Sequence, residues 1–561
     1  MTLLIDTVIP RTLAQLIERF TANPVTRIEA WLFEDAAARR AAEQTLARAG
    51  VKAVLRSAYK PLVHFFLEEF DGTGMGEIAV QTPAGKGQRF RLEAYPLAGL
   101  IGDAATLRFV EGTALQSDYR VTAGNRHWQV FAPNDDTASP CGWLRVWQGD
   151  TLTEDAALRT ECEIACDAAL GAVRRHAWPA TLPLFDTLEI DIATTGIERR
   201  LSFGHETIST FEGLHEDCYY GALEFFKARA GLADADRTLQ PGQIVPLISQ
   251  VDGDTRVAVR LTTHRRVDPP AGGAVALDTA DRSLVPAEVE LAVAALPGEP
   301  FSVTSHQGRK VAGVHVRGAL PGLVVTAGQH ANESSGVVGA LRAARHLNRE
   351  RGAHYALVPL ENPDGAALHH HLQESHPAHM AHAARYTALG DDLEARITPP
   401  FGEKAARLEA IERTGARLHL SLHGYPAHEW TRPRAGYVPR YNELWTVPKG
   451  FFLILRRHPG HDGMRFLNAL TEELQSGSAE LAEFNASQQR MWHAHVGELP
   501  FERINGIPCM VMTDKRSTVP FTLITEFPDE TVRGPAFRLA HTTQMRTVLA
   551  AAHLYWKGLL D

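Results

Sequence analysis

From about residue 285 onward the chain alternates short apolar runs with amphipathic stretches, and that alternation restricts it to a small group of folds. GLVVTAG reads as a buried strand, VVGALRAARHLNRE as a helix, AHYALVPL as a strand, EKAARLEAIERTG as a helix and ARLHLSLHG as a strand. Runs that are apolar on both faces belong inside a sheet, and parallel neighbours need helical crossovers between them. PCMVM and FTLITEF follow as strands, and AFRLAHTTQMRTVLAAAHLYWKGLL closes the chain as a long helix placed to cover a sheet. Residues 286–561 are therefore expected to form an α/β domain with a mixed central sheet flanked by helices.

The first 285 residues read differently. Residues 10–60 hold two helical patterns around a short strand, with Asp35 as a cap and Gly50 as a stop, and the strand VKAVLR follows. Residues 76–131 alternate apolar and polar positions (EIAVQT, RFRLEAYPL, ATLRFVEG, YRVTAG, HWQVFAP), as an antiparallel sheet does. Residues 133–140 read as a linker, CGWLRVW precedes a long helical pattern with Thr153 as its cap, and residues 268–273 read as a second linker. The expected organisation is an α/β and β-rich region over 1–135, a second region over 140–285 that can be continuous with it, and the domain over 286–561. Cys162 and Cys166, one turn apart on the helical pattern, read as buried core thiols. GTGMG and Gly85-Lys86-Gly87 lack the spacing of nucleotide loops and read as turns.

Charge removes some functions. Lys plus Arg is 57 and Asp plus Glu is 66, a net charge of −9 over 561 residues, so there is no electrostatic footprint for nucleic acid. No run of 18 apolar residues exists to span a membrane, and MTLLIDTVIPRTLAQLIERF has no basic segment ahead of its apolar residues. Five cysteines without a CxxC pair support neither a disulfide framework nor thiolate-bound zinc, so a cytoplasmic location is expected. Histidine is plentiful instead: 12 of the 26 lie between His330 and His428.

Two of those histidines stand at chemically informative positions. His330 and Glu333 sit in GLVVTAGQHANESSG, after a buried-type strand and before a helix, at the sheet edge where open α/β folds collect ligands. A histidine and a carboxylate three residues apart can chelate one ion from a turn, although such pairs also cap helices. Zinc accepts nitrogen and oxygen donors and in catalytic sites keeps one position for water. His423, which ends the alternating strand ARLHLSLHG, is the candidate third ligand.

Four segments then occur in order: QHANE, PLENPDG, LSLHG and TLITEFPD. With these motifs on these elements, the chain over about residues 290–561 resembles the zinc carboxypeptidases of the carboxypeptidase A type. The resemblance explains nothing before that point. It implies one zinc ion per chain on His330, Glu333 and His423, with Glu526 as general base and a peptide cut at its C-terminal amide bond. Arg385 and Arg396 become candidates for the oxyanion and for the substrate's carboxylate, and Tyr437 or Tyr441 for the residue that covers the substrate. The family's Asn-Arg pair is not kept, since position 395 is Ala. The interval of 90 residues between Glu333 and His423 also fits the related N-acyl amino acid deacylases, the desuccinylases and aspartoacylases. A zinc-binding scaffold without turnover is a third reading, disfavoured because all three ligands and Glu526 are present together.

The remaining candidates are weaker. Asp391 or Asp392 could orient a ligating imidazole. The run His369, His370, His371, His376, His379 and His382 gives no single three-ligand face and reads as polar residues near a cleft. His205, Glu212, His215, Glu216 and Asp217 could bind metal, but a charged helix face explains them as well. HExxH and GxSxG motifs are absent, which disfavours helical zincins and serine hydrolases.

Overall fold

Strands Leu323–Ala327 and Leu418–Tyr425 are buried at every residue, as apolar runs in the middle of a sheet must be. In the computed structural model they are the centre of a nine-stranded mixed sheet. The strand order is Glu299–Thr304, Lys310–Val316, Tyr355–Val358, Leu323–Ala327, Leu418–Tyr425, Phe521–Pro528, Phe452–Arg457, Ile507–Thr513 and Glu502–Ile504. The four strands from Tyr355–Val358 to Phe521–Pro528 run parallel, and antiparallel pairs join them to both flanks. All residues are described except 72–75, 86, 114–116, 264–267, 269–271, 274, 440–441 and 561. Gly72, Gly74, Lys86, Tyr441 and half of the 268–273 linker thus lie outside the described residues.

The sheet's two faces do different work. Leu418, Leu420 and Leu422 join Leu323, Val325, Leu453 and Leu523 in the main core, beneath helices Ser335–Leu347, Gly534–Trp556 and Met464–Gly477. On the opposite face Val324, Ala356 and Val358 pack against helix Ala405–Thr414. The closing helix and Ser335–Leu347 approach very closely at Gly339. A Cβ there would lie 2.5 Å from Gln544 Cβ and 3.0 Å from the His541 carbonyl oxygen. That approach lets Gln544 reach the sheet, where its Nε2 donates to the His423 carbonyl at 2.9 Å and its Oε1 accepts from Thr525 Oγ1 at 2.6 Å.

The N-terminal half interleaves its strands. Thr2–Ile9 pairs with Thr255–Thr262, and Arg27–Leu32 pairs with Trp143–Gln148, so strand pairing crosses the expected break at 135–140. Residues 133–140 form a bridge between Asn134 and Pro140, and Ser139 Oγ donates to the Arg434 carbonyl at 2.8 Å, so this segment is docked on the C-terminal half. Three local expectations change. Within the sheet expected to be antiparallel, Glu77–Thr82 and Thr106–Glu111 pair in parallel, because the helical segments between them form a crossover. Gly87–Glu93 is helical, because that spacing lets both Phe90 and Glu93 meet Tyr119. Thr151–Ala157 is a strand paired with Trp143–Gln148, and the helix begins at Glu161, because Thr160 N and Oγ1 both donate to Glu163 Oε2 at 2.9 Å, a cap that Thr153 cannot provide.

Replacing Gly339 with Ala gains about 1 kcal/mol of helix propensity but overpacks the helix contact, which typically costs about 1–3 kcal/mol. Gly339→Ala should therefore lower stability, by about 1 kcal/mol, read as a drop in the denaturant midpoint at unchanged slope.

Candidate metal centre

Alternation along Leu418–Tyr425 places His419, Ser421 and His423 opposite the leucines, on the face that lines a cavity of about 690 Å³. In the parallel strand beside it, Glu526 is the register partner of His423, so the two side chains emerge next to each other on one face. His330 and Glu333 come from the turn between Leu323–Ala327 and helix Ser335–Leu347, where Glu333 N donates to the His330 carbonyl at 3.2 Å. PLENPDG supports this turn. Asn362 caps helix Pro363–Ser375 through Gly365 N at 2.9 Å, and its Nδ2 donates to the Tyr386 carbonyl at 3.0 Å.

Three donors converge there. Glu333 Oε1 lies 2.7 Å from His330 Nδ1, Glu333 Oε2 lies 2.9 Å from His423 Nδ1, and the two ring nitrogens are 3.3 Å apart. Nitrogens bound at about 2.0–2.1 Å with tetrahedral angles lie about 3.3 Å apart, so the spacing fits a zinc ion. The rings also diverge, at 64°. His330 Nε2 faces Asp392 Oδ2 at 3.4 Å, and Gln329 Nε2 donates to Asp392 Oδ1 at 2.8 Å, which gives the candidate ligand an acceptor on its far side. A second group, Glu198, His376 and His379, also brings three ligand atoms within 4.8 Å of one another. Its imidazoles stack at 3° and 4.3 Å, and His379 Nε2 lies 3.1 Å from Glu198 Oε2, a histidine–carboxylate contact with a ring stacked on it.

The two glutamates of the site are opposite in character. Burial opposes ionisation of Glu333, but His330, Arg385 and His423 overcome it and hold the carboxyl well below the usual range. Glu526 is pushed well above that range, by burial first and then by the charge of Glu333, against the pull of Arg385 and Lys449. Among the described residues its buried Oε2 has no hydrogen-bond partner. The Lys449 ammonium, pushed down to about 7 by burial, sits 4.2 Å from the Tyr425 ring centroid and 5.2 Å from that of Trp492.

The other expected site residues divide. Arg385 stands at the centre, its Nη1 2.6 Å from Glu333 Oε1 and 3.3 Å from Glu530 Oε1. Arg396 lines the cavity but is not free to anchor a carboxylate. It donates to both oxygens of Asp391 at 2.7 and 2.8 Å, to Glu403 Oε2 at 2.6 Å and to the Phe401 carbonyl at 3.1 Å. Tyr437 is a correction too. It is buried among N-terminal residues, stacked on Tyr59 at 5.4 Å, with its hydroxyl accepting from Lys60 N at 2.6 Å, and it takes no part in lining the cavity.

Sequence reasoning missed a row of alternating charges that leads to the site. Glu216 Oε2 lies 2.7 Å from His382 Nδ1, His382 Nε2 lies 3.1 Å from Glu530 Oε2, and Glu530 meets Arg385, which meets Glu333. Glu212, His215, Glu216 and Asp217 are not a solvated helix face. Helix Thr210–Arg229 is buried between its own sheet and the C-terminal half, and Glu212 Oε2 lies 2.7 Å from His428 Nε2. A carboxylate four residues past Glu526 at the same sheet edge was the available signal for Glu530. Nothing local in sequence pointed from Glu216 to His382.

No family model matches the chain, and no curated protein matches its sequence. Solved structures do. A metallo-carboxypeptidase from Burkholderia cenocepacia is similar at 14% identity over 54% of this chain and 76% of that one, with a TM-score of 0.29. A metallo-carboxypeptidase from Pseudomonas aeruginosa, solved with (2-guanidinoethylmercapto)succinic acid, is similar at 17% identity over 54% and 72%, with a TM-score of 0.28. The murein-tripeptide amidase of Escherichia coli O157 is similar at 14% identity over 46% and 95%, with a TM-score of 0.25. These are metallopeptidases and an amidase. At such identities and TM-scores, the function of this chain rests on its own residues. Among the described residues no helix is long and apolar enough to cross a membrane.

The buried histidines of the charge network set a pH dependence. Burial disfavours their protonation, yet Glu212 and Glu206 push His428 up to about 9, and Glu216 and Glu530 push His382 up to about 10. The folded state therefore keeps protons that the unfolded chain releases near 6.5, and the stabilisation is complete below that pH and lost as pH rises through 9 to 10. The thermal midpoint should fall between pH 7 and 10, and Glu212→Gln should flatten the His428 part of that fall while lowering stability at pH 7.

Proposed function

We propose that the chain is a zinc-dependent metallocarboxypeptidase that hydrolyses the C-terminal amide bond of peptides. The observation that carries this reading is the placement of Glu526, a buried carboxyl with one oxygen unpartnered, in register with His423 beside the three convergent donors and on the wall of the cavity. His330, Glu333 and His423 would hold the ion. Zinc bound there would polarise a carbonyl and acidify water.

The protein's own groups account for the rest of the chemistry. Glu526 would take a proton from the attacking water at its unpartnered oxygen and pass it to the leaving amine. A carboxyl whose proton affinity has been raised by burial suits both steps, because it can accept the proton and hold it until transfer. Arg385 lies within 2.6 Å of Glu333 and is 19% exposed, so it can offer guanidinium hydrogens to the oxygen that gains charge. The cavity supplies room for a side chain beside the scissile bond, with Ile454, Met510 and Ile524 among its lining residues. A cytoplasmic setting belongs to the same reading and is supported by five unpaired cysteines.

Purified protein should contain zinc in a one-to-one ratio by elemental analysis, and His330→Ala should lose it; retention of full zinc by that variant would remove His330 from the ligand set. Glu526→Gln should keep the metal while kcat falls by about 10²- to 10⁴-fold, the usual worth of a general base. Release of amino acids from N-acyl amino acids but not from peptides would move the activity to the deacylases.

A further inference from the structure

The cavity is rich in cations. Six arginines and Lys404 line it, against four carboxylates, so the ligand it would take is anionic. A carboxylate anchor needs guanidinium hydrogens that are not already committed. Two of these arginines are fully engaged. Arg396 is saturated by Asp391 and Glu403, and Arg407 is bound to both oxygens of Glu361, to Glu394 and to Gln329. Arg456 gives Nη1 to Glu394 at 2.7 Å while its buried Nε has no hydrogen-bond partner among the described residues, Arg516 grips Asp514 at 2.5 Å, and Arg385 is held through Nη1 alone by Glu333 and Glu530. Ala395, also on the wall, offers no charge.

Arg237 is the most loosely held of the six. Among the described residues its one side-chain hydrogen bond is a long one, 3.3 Å from Nη1 to Asp392 Oδ2, and its side chain is 45% exposed where it lines the cavity. It belongs to the N-terminal half, in the segment after helix Thr210–Arg229. The backbone that carries it is tied down. Its carbonyl accepts from Asp392 N at 3.0 Å, Thr238 N donates to Asp236 Oδ1 at 2.7 Å, and Gln240 Nε2 donates to Asp391 Oδ2 at 2.9 Å. The Asp392 oxygen that meets Arg237 is the one that faces His330, so a single carboxylate separates this guanidinium from the candidate metal ligand. Ile397 and Phe401 line the same cavity.

We propose that Arg237 anchors the C-terminal carboxylate of the substrate, so that the N-terminal half completes the cleft and selects peptides with a free carboxyl end and an apolar last residue. This rests on the peptidase reading, and it assigns the recognition role expected of Arg396 to a residue more than 150 positions earlier in the chain. One guanidinium–carboxylate contact of this kind corresponds to about a 10- to 100-fold difference in affinity.

The test uses the full-length, zinc-loaded protein and calorimetric binding of benzoyl-Gly-Phe and its C-terminal amide, in the Glu526→Gln background so that neither is consumed. The parent should bind the free acid more tightly than the amide. Arg237→Ala should weaken the acid by about 10- to 100-fold and leave the amide unchanged, with Arg237→Lys between them and metal content constant. Equal affinity of the parent for acid and amide, an unchanged acid affinity in Arg237→Ala, or an equal loss for both ligands would overturn the proposal. Because binding is read without turnover, a wild-type protein that hydrolyses no peptide yet shows the Arg237-dependent preference would defeat the peptidase reading alone. Arg396→Gln is the control: loss of the acid preference there, and not at Arg237, would return the role to Arg396.

Discussion

The carboxylate of Glu333 is the point on which the site is built. It faces His330 through one oxygen and His423 through the other, receives Arg385 on the first and the Gly424 amide on the second, and is almost wholly buried. Removing one partner from a buried ion pair costs about 3–5 kcal/mol, so each group around this carboxylate is held there by the penalty of leaving it. The geometry needs three remote segments at once: the turn after Leu323–Ala327, the end of Leu418–Tyr425 and the segment around Arg385. Parallel strands with their carboxyl ends at one edge bring the first two together, and Asn362, bonded to the Tyr386 carbonyl, draws in the third.

The two faces of the sheet explain why polar groups can be placed so deep. Leu418, Leu420 and Leu422 bury the strand on one side, so the register of His419, Ser421 and His423 on the other is fixed by the core. A slip of one residue would put three leucines into the cavity and three polar side chains under the helices. Gln544 adds a second lock. It holds the His423 carbonyl from the helix side, and the absence of a side chain at Gly339 lets the closing helix come near enough for that contact.

Much of the C-terminal fold was legible because its signal is local. Buried strands read as apolar runs, helices as amphipathic ones, and His330, Glu333, His423 and Glu526 stand at strand ends that the pattern marks. The proposed anchor was not legible. Arg396 has the right residue type in the right interval, but whether a guanidinium is free depends on Asp391 and Glu403, and sequence does not tell how a side chain's hydrogens are spent. Tyr437 failed for a related reason: its surroundings are Tyr59 and Lys60, far away in sequence. The helix at Thr210–Arg229 was the largest misreading. Its carboxylates look like a solvated face, since charged residues are rarely buried unless paired, and the pairing partners His382 and His428 lie in the other half of the chain.

That helix also bears on how the two halves are related. A buried helix carrying Glu212, Glu216 and Asp217 would be unstable alone, because each carboxylate would lose its partner. The C-terminal half would in turn be left with His428 without its carboxylate partners and His382 with Glu530 alone. Charges that are costly apart and neutralised together make docking of the halves a condition of folding, which differs from two independent domains joined by a linker. Coupling of this kind fits the placement of residues 133–140 against Arg434 and the strand pairing that crosses the expected break. It also gives the segment of Arg237 a rigid platform, since the loop leaves a helix whose carboxylates are paired to the same C-terminal half that carries Asp391 and Asp392.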